Sequence, residues 1–326
     1  MRDTPLPVTL VTGFLGAGKT TFLNHLLSSD HGEKLGVIVN EFDELGIDQD
    51  LIENTRGQLV GMNNGCLCCT VQGDLKPMIL AMLEADPTLS GLVIETTGLA
   101  NPGPIAAAFF ADPLLCEATR LDAIVTLVDA VNLKQHLDPT HPDSVPFAQV
   151  AHADRILINK CDLVTEAELE RLSVDLRAIN PLAAQYRTVR GVLSVREVLD
   201  VHAYDFEHRF EEGFADDHHH EEDISSVSFQ TTGDFDQIQL NTYFCNLLRE
   251  QGEQIYRCKG VVNVAQLDEP LLFQGVSTLF ATAPGKPWPP TGPRVTRAVF
   301  IGTGLDRASL EAGFMACRLE PAPRPG

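Results

Sequence analysis

Gly13-Phe14-Leu15-Gly16-Ala17-Gly18-Lys19-Thr20, set just after the apolar run Val8-Thr9-Leu10-Val11, decides how this chain is read. A strand that opens into a glycine-rich loop and then a helix, here Lys19 to Leu27, is a cradle for phosphate. The glycines let successive backbone N–H groups turn inward, Lys19 reaches the β- and γ-phosphates, and the Thr20 hydroxyl can ligate Mg²⁺ at the helix start. Gly13, Gly16, Ala17, Gly18, Lys19, Thr20 and Thr21 are therefore the expected phosphate-binding residues.

Working outward, short apolar runs alternate with helical patterns. Strands are expected at Val8–Val11, Leu35–Val39, Gln58–Met62, Leu92–Ile94, Ala123–Val128 and Arg155–Ile158. Helices are expected at Lys19–Leu27, Asp74–Glu84, Pro102–Phe110 and Glu166–Ile179. That alternation predicts an α/β domain built on a largely parallel sheet.

The strand Arg155–Ile158 leads into Asn159-Lys160-Cys161-Asp162. A carboxylate accepts two hydrogen bonds from the N1–H and exocyclic amine of guanine, a donor pair that adenine lacks, so Asp162 is the expected specificity residue. Asn159 would support the loop and the base, and the Lys160 stem would lie along the ring face. Alone, the same four residues could be a strand end turning into a helix. Their place after a later strand of the phosphate-binding sheet favours a guanine nucleotide.

Gly65-Cys66-Leu67-Cys68-Cys69 packs three thiols into four residues, too close for good disulfides among themselves. Thiolates select Zn²⁺, Cu(I) and similar soft ions, and two or three of them leave room for an outside ligand. Cys66, Cys68 and Cys69 are thus candidate metal ligands. The alternatives are small buried apolar residues, or one redox-reactive thiol with two bystanders. Cys116, Cys161, Cys245, Cys258 and Cys317 occur singly and read as core fillers.

Two strand ends compete for the acidic role beside Mg²⁺. Glu95 is followed by Thr96-Thr97-Gly98, and Asp129 closes the run Ile124-Val125-Thr126-Leu127-Val128. An acid acts beside Mg²⁺ while a nearby glycine N–H senses the γ-phosphate, so Glu95 with Gly98 is the more complete device. Asp129 is left to cap the following turn.

The 326 residues, 44% of them hydrophobic, suffice for two domains with a core each. A net charge of -21 argues against nonspecific nucleic-acid binding. Eight cysteines, three of them clustered, suit a reducing compartment. There is no apolar run of about 18 residues and no signal-peptide pattern, so a soluble, cytoplasmic protein without membrane contact is expected.

From Val201 to Asp223 the pattern gives way to charge, with Asp216-Asp217-His218-His219-His220-Glu221-Glu222-Asp223 at its end. This reads as a linker between residues 1–200 and a second domain at 224–320. His218, His219 and His220 are either weak auxiliary metal ligands or part of an acidic solvated spacer. Beyond it, strands are expected at Ser226–Thr231, near Val261–Ala265, at Leu271–Val276 and at Arg297–Ile301. Helices are expected at Phe235–Glu250 and Arg307–Ala316, giving a smaller α+β domain. Client docking is the role expected of it, while Arg257 and Lys259 read equally well as ordinary ion-pair residues.

Taken in order, Gly13–Thr20, Asn40-Glu41-Phe42, Cys66-Leu67-Cys68-Cys69, Glu95-Thr96-Thr97-Gly98 and Asn159–Asp162 resemble the CobW-type metallochaperone GTPases, relatives of the nickel-insertion GTPases. The resemblance spans the whole chain, including a CobW-like C-terminal domain carrying Tyr256-Arg257-Cys258-Lys259-Gly260. It implies slow GTP hydrolysis coupled to delivery of Zn²⁺ or Co²⁺ to a client metalloprotein. Its alternatives are an activator of one metalloenzyme, such as nitrile hydratase, and a passive metal buffer. A homodimer stays open. Asp43 stands where many relatives carry glycine and adds a carboxylate near a metal or Mg²⁺ site.

The expected mechanism uses nucleotide as a switch on metal affinity. Glu41 and Asp43 lie where the first mobile loop should be, and the cysteines lie between that loop and Glu95. Contacts to the γ-phosphate could therefore draw the thiolates into coordinating geometry. Glu41 is a candidate for both the transferred metal and the orientation of water, the latter shared with Asp43. Lys19, Mg²⁺ and the loop amides would carry most of the catalysis.

Overall fold

Strand β1, Leu6–Gly13, stands at the centre of a parallel sheet with every position but one fully buried. The computed structural model describes residues 4–39, 58–61, 75–133, 137, 144–205 and 226–319, and the chain divides into two units, Met1–Tyr204 and Asp205–Gly326.

In the first unit, β1 is followed by α1 (Lys19–Ser28), β2 (Leu35–Val39), β3 (Gln58–Gly61), α2 (Lys76–Ala85), β4 (Gly91–Glu95), α3 (Pro102–Ala111) and α4 (Pro113–Ala118). Then come β5 (Thr119–Asp129), α5 (Val145–His152), β6 (Arg155–Asn159), α6 (Glu166–Ile179) and β7 (Ala184–Arg187). The strands lie in the order β3-β2-β4-β1-β5-β6-β7, and each neighbouring pair is parallel. Strands covered on both faces read as continuous apolar runs, which is why β2, β4 and β5 stood out in the sequence.

Local chemistry sets the helix starts. The Asn101 and Asp112 side chains accept backbone N–H groups ahead of Pro102 and Pro113, and proline at a first helical position loses no helix bond. Helix α6 opens on a reciprocal cap between Thr165 and Glu168, and it buries Leu169, Leu172, Leu176 and Ile179 at helical spacing.

The second unit contains β8 (Ser226–Thr232), α7 (Gln237–Gln251), β9 (Ile255–Val262), β10 (Leu271–Val276), β11 (Leu279–Pro284), β12 (Val295–Gly302) and α8 (Arg307–Met315). Its sheet is antiparallel, in the order β11-β10-β9-β12-β8. Leu240, Phe244 and Leu247 of α7 and Leu310 and Phe314 of α8 join Phe229, Phe273 and Phe300 in one core. The Phe314 ring lies 5.0 Å from that of Phe229 and 5.1 Å from that of Phe235.

The α/β first unit and smaller α+β second unit match the expected fold class. Several local expectations need correction. Helix α5 was not anticipated: it is only eight residues long, and its polar Gln149 and His152 are as buried as its apolar residues. Helix α4, and strand β7 with its mixed, half-exposed residues, were missed for their brevity. Strand β9 begins at Ile255, not near Val261: Arg257 and Lys259 break the apolar pattern, yet both are buried. Edge strand β11 has no buried residue and carries little signal. Cys258 and Cys317 are core residues as expected, but Cys116 and Cys245 are exposed and fill no core.

Among the described residues, no helix is long and apolar enough to cross a membrane.

Candidate functional site

Because every strand of the first sheet is parallel, all its carboxyl ends meet at one edge, where open α/β sheets bind ligands. The register makes this concrete. Gly61 of β3 lies beside Val39 of β2, Val39 beside Glu95 of β4, and Glu95 beside Val11 of β1. On the other side of β1, Gly13 pairs with Leu127 of β5, and Asp129 of β5 pairs with Asn159 of β6.

The glycine loop closes on itself. Lys19 Nζ donates to the carbonyl of Gly13 at 2.9 Å and lies 3.4 Å from that of Phe14, while Ala17 N–H donates to Phe14 O at 3.1 Å. Gly18 takes φ +99 at the start of α1, and a Cβ there would strike the Asn159 amide. Only glycine satisfies both constraints. No side chain caps α1, and the amino end of a helix suits an anion. Thr20 is half-buried in the first turn and Thr21 is exposed.

Asn159 ties this loop to the segment after β6. Its Nδ2 donates to Ala17 O at 2.9 Å, and its Oδ1 accepts from Gly191 N–H at 3.0 Å and from the Thr188 hydroxyl at 3.2 Å. The residue is 2% exposed, so these bonds replace water rather than compete with it. Sequence reasoning found Asn159 but missed Thr188 and Gly191. Their faint signal was the turn Arg190-Gly191, where both residues adopt positive φ.

Lys160, also at positive φ, donates to Asp129 at 2.7 Å, and Asp129 in turn accepts from Val131 N–H at 2.9 Å and from Asn132 Nδ2 at 2.9 Å. Burial works against the charged Asp129 carboxylate, but the bonds from Lys160, Asn132 and Val131 hold its pKa below the ordinary range. Asp129 thus caps the turn after β5, as expected, and also anchors Lys160. Asp162 lies exposed in the short 3-10 turn Cys161–Leu163. Burial pushes the Cys161 thiol up, and its Sγ lies 3.0 Å from Ile158 O, so this cysteine is not presented as a thiolate.

Glu95 is buried at the end of β4. Thr96 fastens that end to β1, its N–H donating to Val11 O at 2.9 Å and its hydroxyl to Thr12 Oγ1, also at 2.9 Å. Gly98 lies over the glycine loop: a Cβ there would come within 2.8 Å of Leu15 N, a contact no larger residue could make without moving the loop. Structure thus gathers Gly13–Thr21, Glu95, Gly98, Asn159, Lys160 and Asp162 on neighbouring strand ends of one edge. Glu41, Asp43, Cys66, Cys68, Cys69, His218, His219 and His220 lie outside the described residues.

Two features elsewhere in the first unit are distinct from this edge. A cavity of about 990 Å³ opens at the amino ends of β1, β2 and β5, lined in part by His25, Leu35, Arg120 and Asp200. Beside it, Asp122, Asp200 and His202 bring possible metal-ligand atoms within 4.8 Å of one another. Arg120 already donates to Asp122 at 3.1 Å and to Asp200 at 3.0 Å, and the Val201 and His202 amides bond Asp122 at 2.9 Å. The cluster therefore works as an ion-pair network fastening residues 200–202 to β5.

Residues 7–187 match the CobW/HypB/UreG nucleotide-binding domain, and residues 224–318 match the cobalamin synthesis protein cobW C-terminal domain. The chain is 35% identical over 325 residues to the zinc chaperone YjiA of Escherichia coli K12, covering 96% of this chain and 99% of that protein. It is 32% identical over 339 residues to the zinc chaperone CobW of Pseudomonas aeruginosa, covering 94% and 89%. The crystal structure of Zn(II)-bound YjiA GTPase from E. coli superposes with a TM-score of 0.81 at 30% identity, over 97% of this chain and 100% of that one. Two matched domains and near full-length similarity place the chain in the CobW/HypB/UreG family, in the branch that carries the CobW C-terminal domain.

Proposed function

We propose that this protein is a GTP-hydrolysing zinc chaperone that binds zinc through Cys66, Cys68 and Cys69, hands it to a client metalloprotein, and uses its nucleotide state to set metal affinity. The observation that carries this reading is the register row Gly61, Val39, Glu95 and Val11. The chain segments holding Glu41 and the three cysteines leave β2 and β3 at the edge where the phosphate loop and Glu95 stand. A phosphate present or absent at that edge acts on both exits at once.

The residues present suit a magnesium nucleoside triphosphate. The start of α1, which no side chain caps, and the Cβ-free Gly18 suit a phosphate, and Thr20 supplies a hydroxyl at the first turn. Mg²⁺ there supplies neutralisation of the β- and γ-phosphate charge. Lys19 binds the same oxygens after giving up its bond to Gly13 O, and Gly98, held over the loop, offers its N–H to the γ-phosphate. Asp162 selects guanine by accepting its two donors, with Asn159 fixing the loop and Lys160 held in place by Asp129. Glu41 or Asp43 orients the attacking water. Both curated relatives are named zinc chaperones, the solved relative is Zn(II)-bound, and clustered thiolates suit zinc.

The test is zinc affinity, measured by competition with a chelating probe, with Mg²⁺-GTP analogue or Mg²⁺-GDP bound. At least about tenfold tighter zinc in the triphosphate state, some 1.4 kcal/mol of coupling, is expected, and the linkage is reciprocal. Equal affinities would leave a passive buffer. Cys66→Ala should remove zinc stimulation of turnover, and unchanged stimulation would overturn the thiolate assignment.

A further inference from the structure

Gly98, the glycine over the phosphate loop, is held by a side chain from a different part of the chain. Gln149 of α5 is 1% exposed, and its Nε2 donates to Gly98 O at 3.2 Å and to Ala100 O at 3.1 Å. The two carbonyls bracket Leu99, which is 58% exposed. Gln149 is itself fixed, since its backbone carbonyl accepts the buried Thr126 hydroxyl of β5 at 2.7 Å. One helical turn on, His152 of α5 packs against Gly103, so closely that a Cβ on Gly103 would meet its Nε2 at 2.6 Å. The same face of α5 therefore grips the Gly98–Gly103 segment at both ends.

We propose that Gln149 is a positioning residue for GTP: its amide holds Gly98 against Leu15, so that the triphosphate finds the Gly98 N–H already aimed at the loop. A segment that must be drawn in by ligand lowers apparent affinity by the fraction of time it is out of place, and a latch removes that penalty. The penalty falls on the triphosphate alone, because a diphosphate offers no γ-phosphate for Gly98. Gln149 thus sets the preference between the two nucleotides without touching either. This inference rests on the guanine-nucleotide reading of the site.

The experiment compares the full-length protein with Gln149→Met, which keeps side-chain length and drops both donors. Affinities for Mg²⁺-GTP analogue and Mg²⁺-GDP are read by fluorescent-nucleotide titration, alongside kcat and KM for GTP. The analogue should bind at least about fivefold more weakly, the low end of ordinary site-to-site coupling, with GDP affinity kept within about twofold. The change should appear in KM as well as kcat. Gln149→Asn, which keeps an amide but shortens its reach, should show the same bias and serves if Gln149→Met does not fold. Thr126→Val keeps both donors but removes the bond that fixes Gln149, so it should shift the nucleotide preference in the same direction and by less than Gln149→Met does. Equal weakening of both nucleotides, an unchanged preference, or a shift toward the triphosphate would overturn the inference. If the unaltered protein failed to bind guanine nucleotides, the reading of the site itself would fall instead.

Discussion

The two units of this protein use β-sheet in opposite ways. In the parallel sheet every strand delivers its carboxyl end to one edge, so residues as far apart in sequence as Ala17, Glu95, Asp129 and Asn159 end as neighbours. In the antiparallel sheet neighbouring strands end at opposite edges, so no single edge gathers the strand ends. Its sides differ instead: one carries the aromatic core under α7 and α8, and alternation along β9 turns Arg257 and Lys259 away from Cys258 in that core. The first unit brings distant residues together at strand ends, and the second sorts them between the faces of its sheet.

That contrast can be broken at several points. The largest effect should come from Phe314→Ala. This fully buried ring touches several aromatic neighbours, and removing it should cost about 3–5 kcal/mol, read as a lower thermal or denaturant midpoint. A loss under about 1 kcal/mol would mean the second core is not the close-packed unit described here. Next, Lys19→Ala should reduce GTP turnover by at least about 10²–10³, measured by phosphate release, while leaving the unfolding midpoint nearly unchanged. Retained turnover would show that the edge is not where the chemistry lies.

Asn159→Ala should be intermediate and mixed. It leaves Ala17 O and Gly191 N–H without their buried partner, at about 1–3 kcal/mol of stability, and weakens nucleotide binding as the loop loosens. A stability loss with unaltered nucleotide affinity would separate the structural tie from the site. The smallest effect concerns acid. The Asp86 carboxyl is held at about 2, chiefly by the Lys34 ammonium and then by the Thr88 hydroxyl and N–H. A carboxyl depressed on folding stabilises fully above its ordinary value, and that contribution fades as pH falls toward about 2. Asp86→Asn should therefore flatten the stability curve of the first unit between pH 4 and 2, as followed by acid titration of the fold. An unchanged acid limb would remove Asp86 from the account.

How much of this was legible depended on how local the signal was. Helices α3 and α6 and the long apolar strands could be read because their determinants lie within a few residues. Helix α5 could not, since it is short and its polar Gln149 and His152 are buried with its apolar residues, and so Gln149 passed unnoticed. Strand β9 was misplaced because buried Arg257 and Lys259 look like surface residues in a linear pattern.

The sequence by itself determined the family and its nucleotide-binding domain. Gly13–Thr20, Asn159–Asp162 and Cys66–Cys69 are particular side chains at fixed short offsets, and such offsets survive in one dimension. Tertiary structure alone decided how those pieces are held. The bond from Asn159 to Ala17 spans 142 residues and that from Gln149 to Gly98 spans 51, distances at which no spacing rule operates. Those ties exist because parallel register brings the strand ends together and burial leaves each polar group only the partner the fold provides.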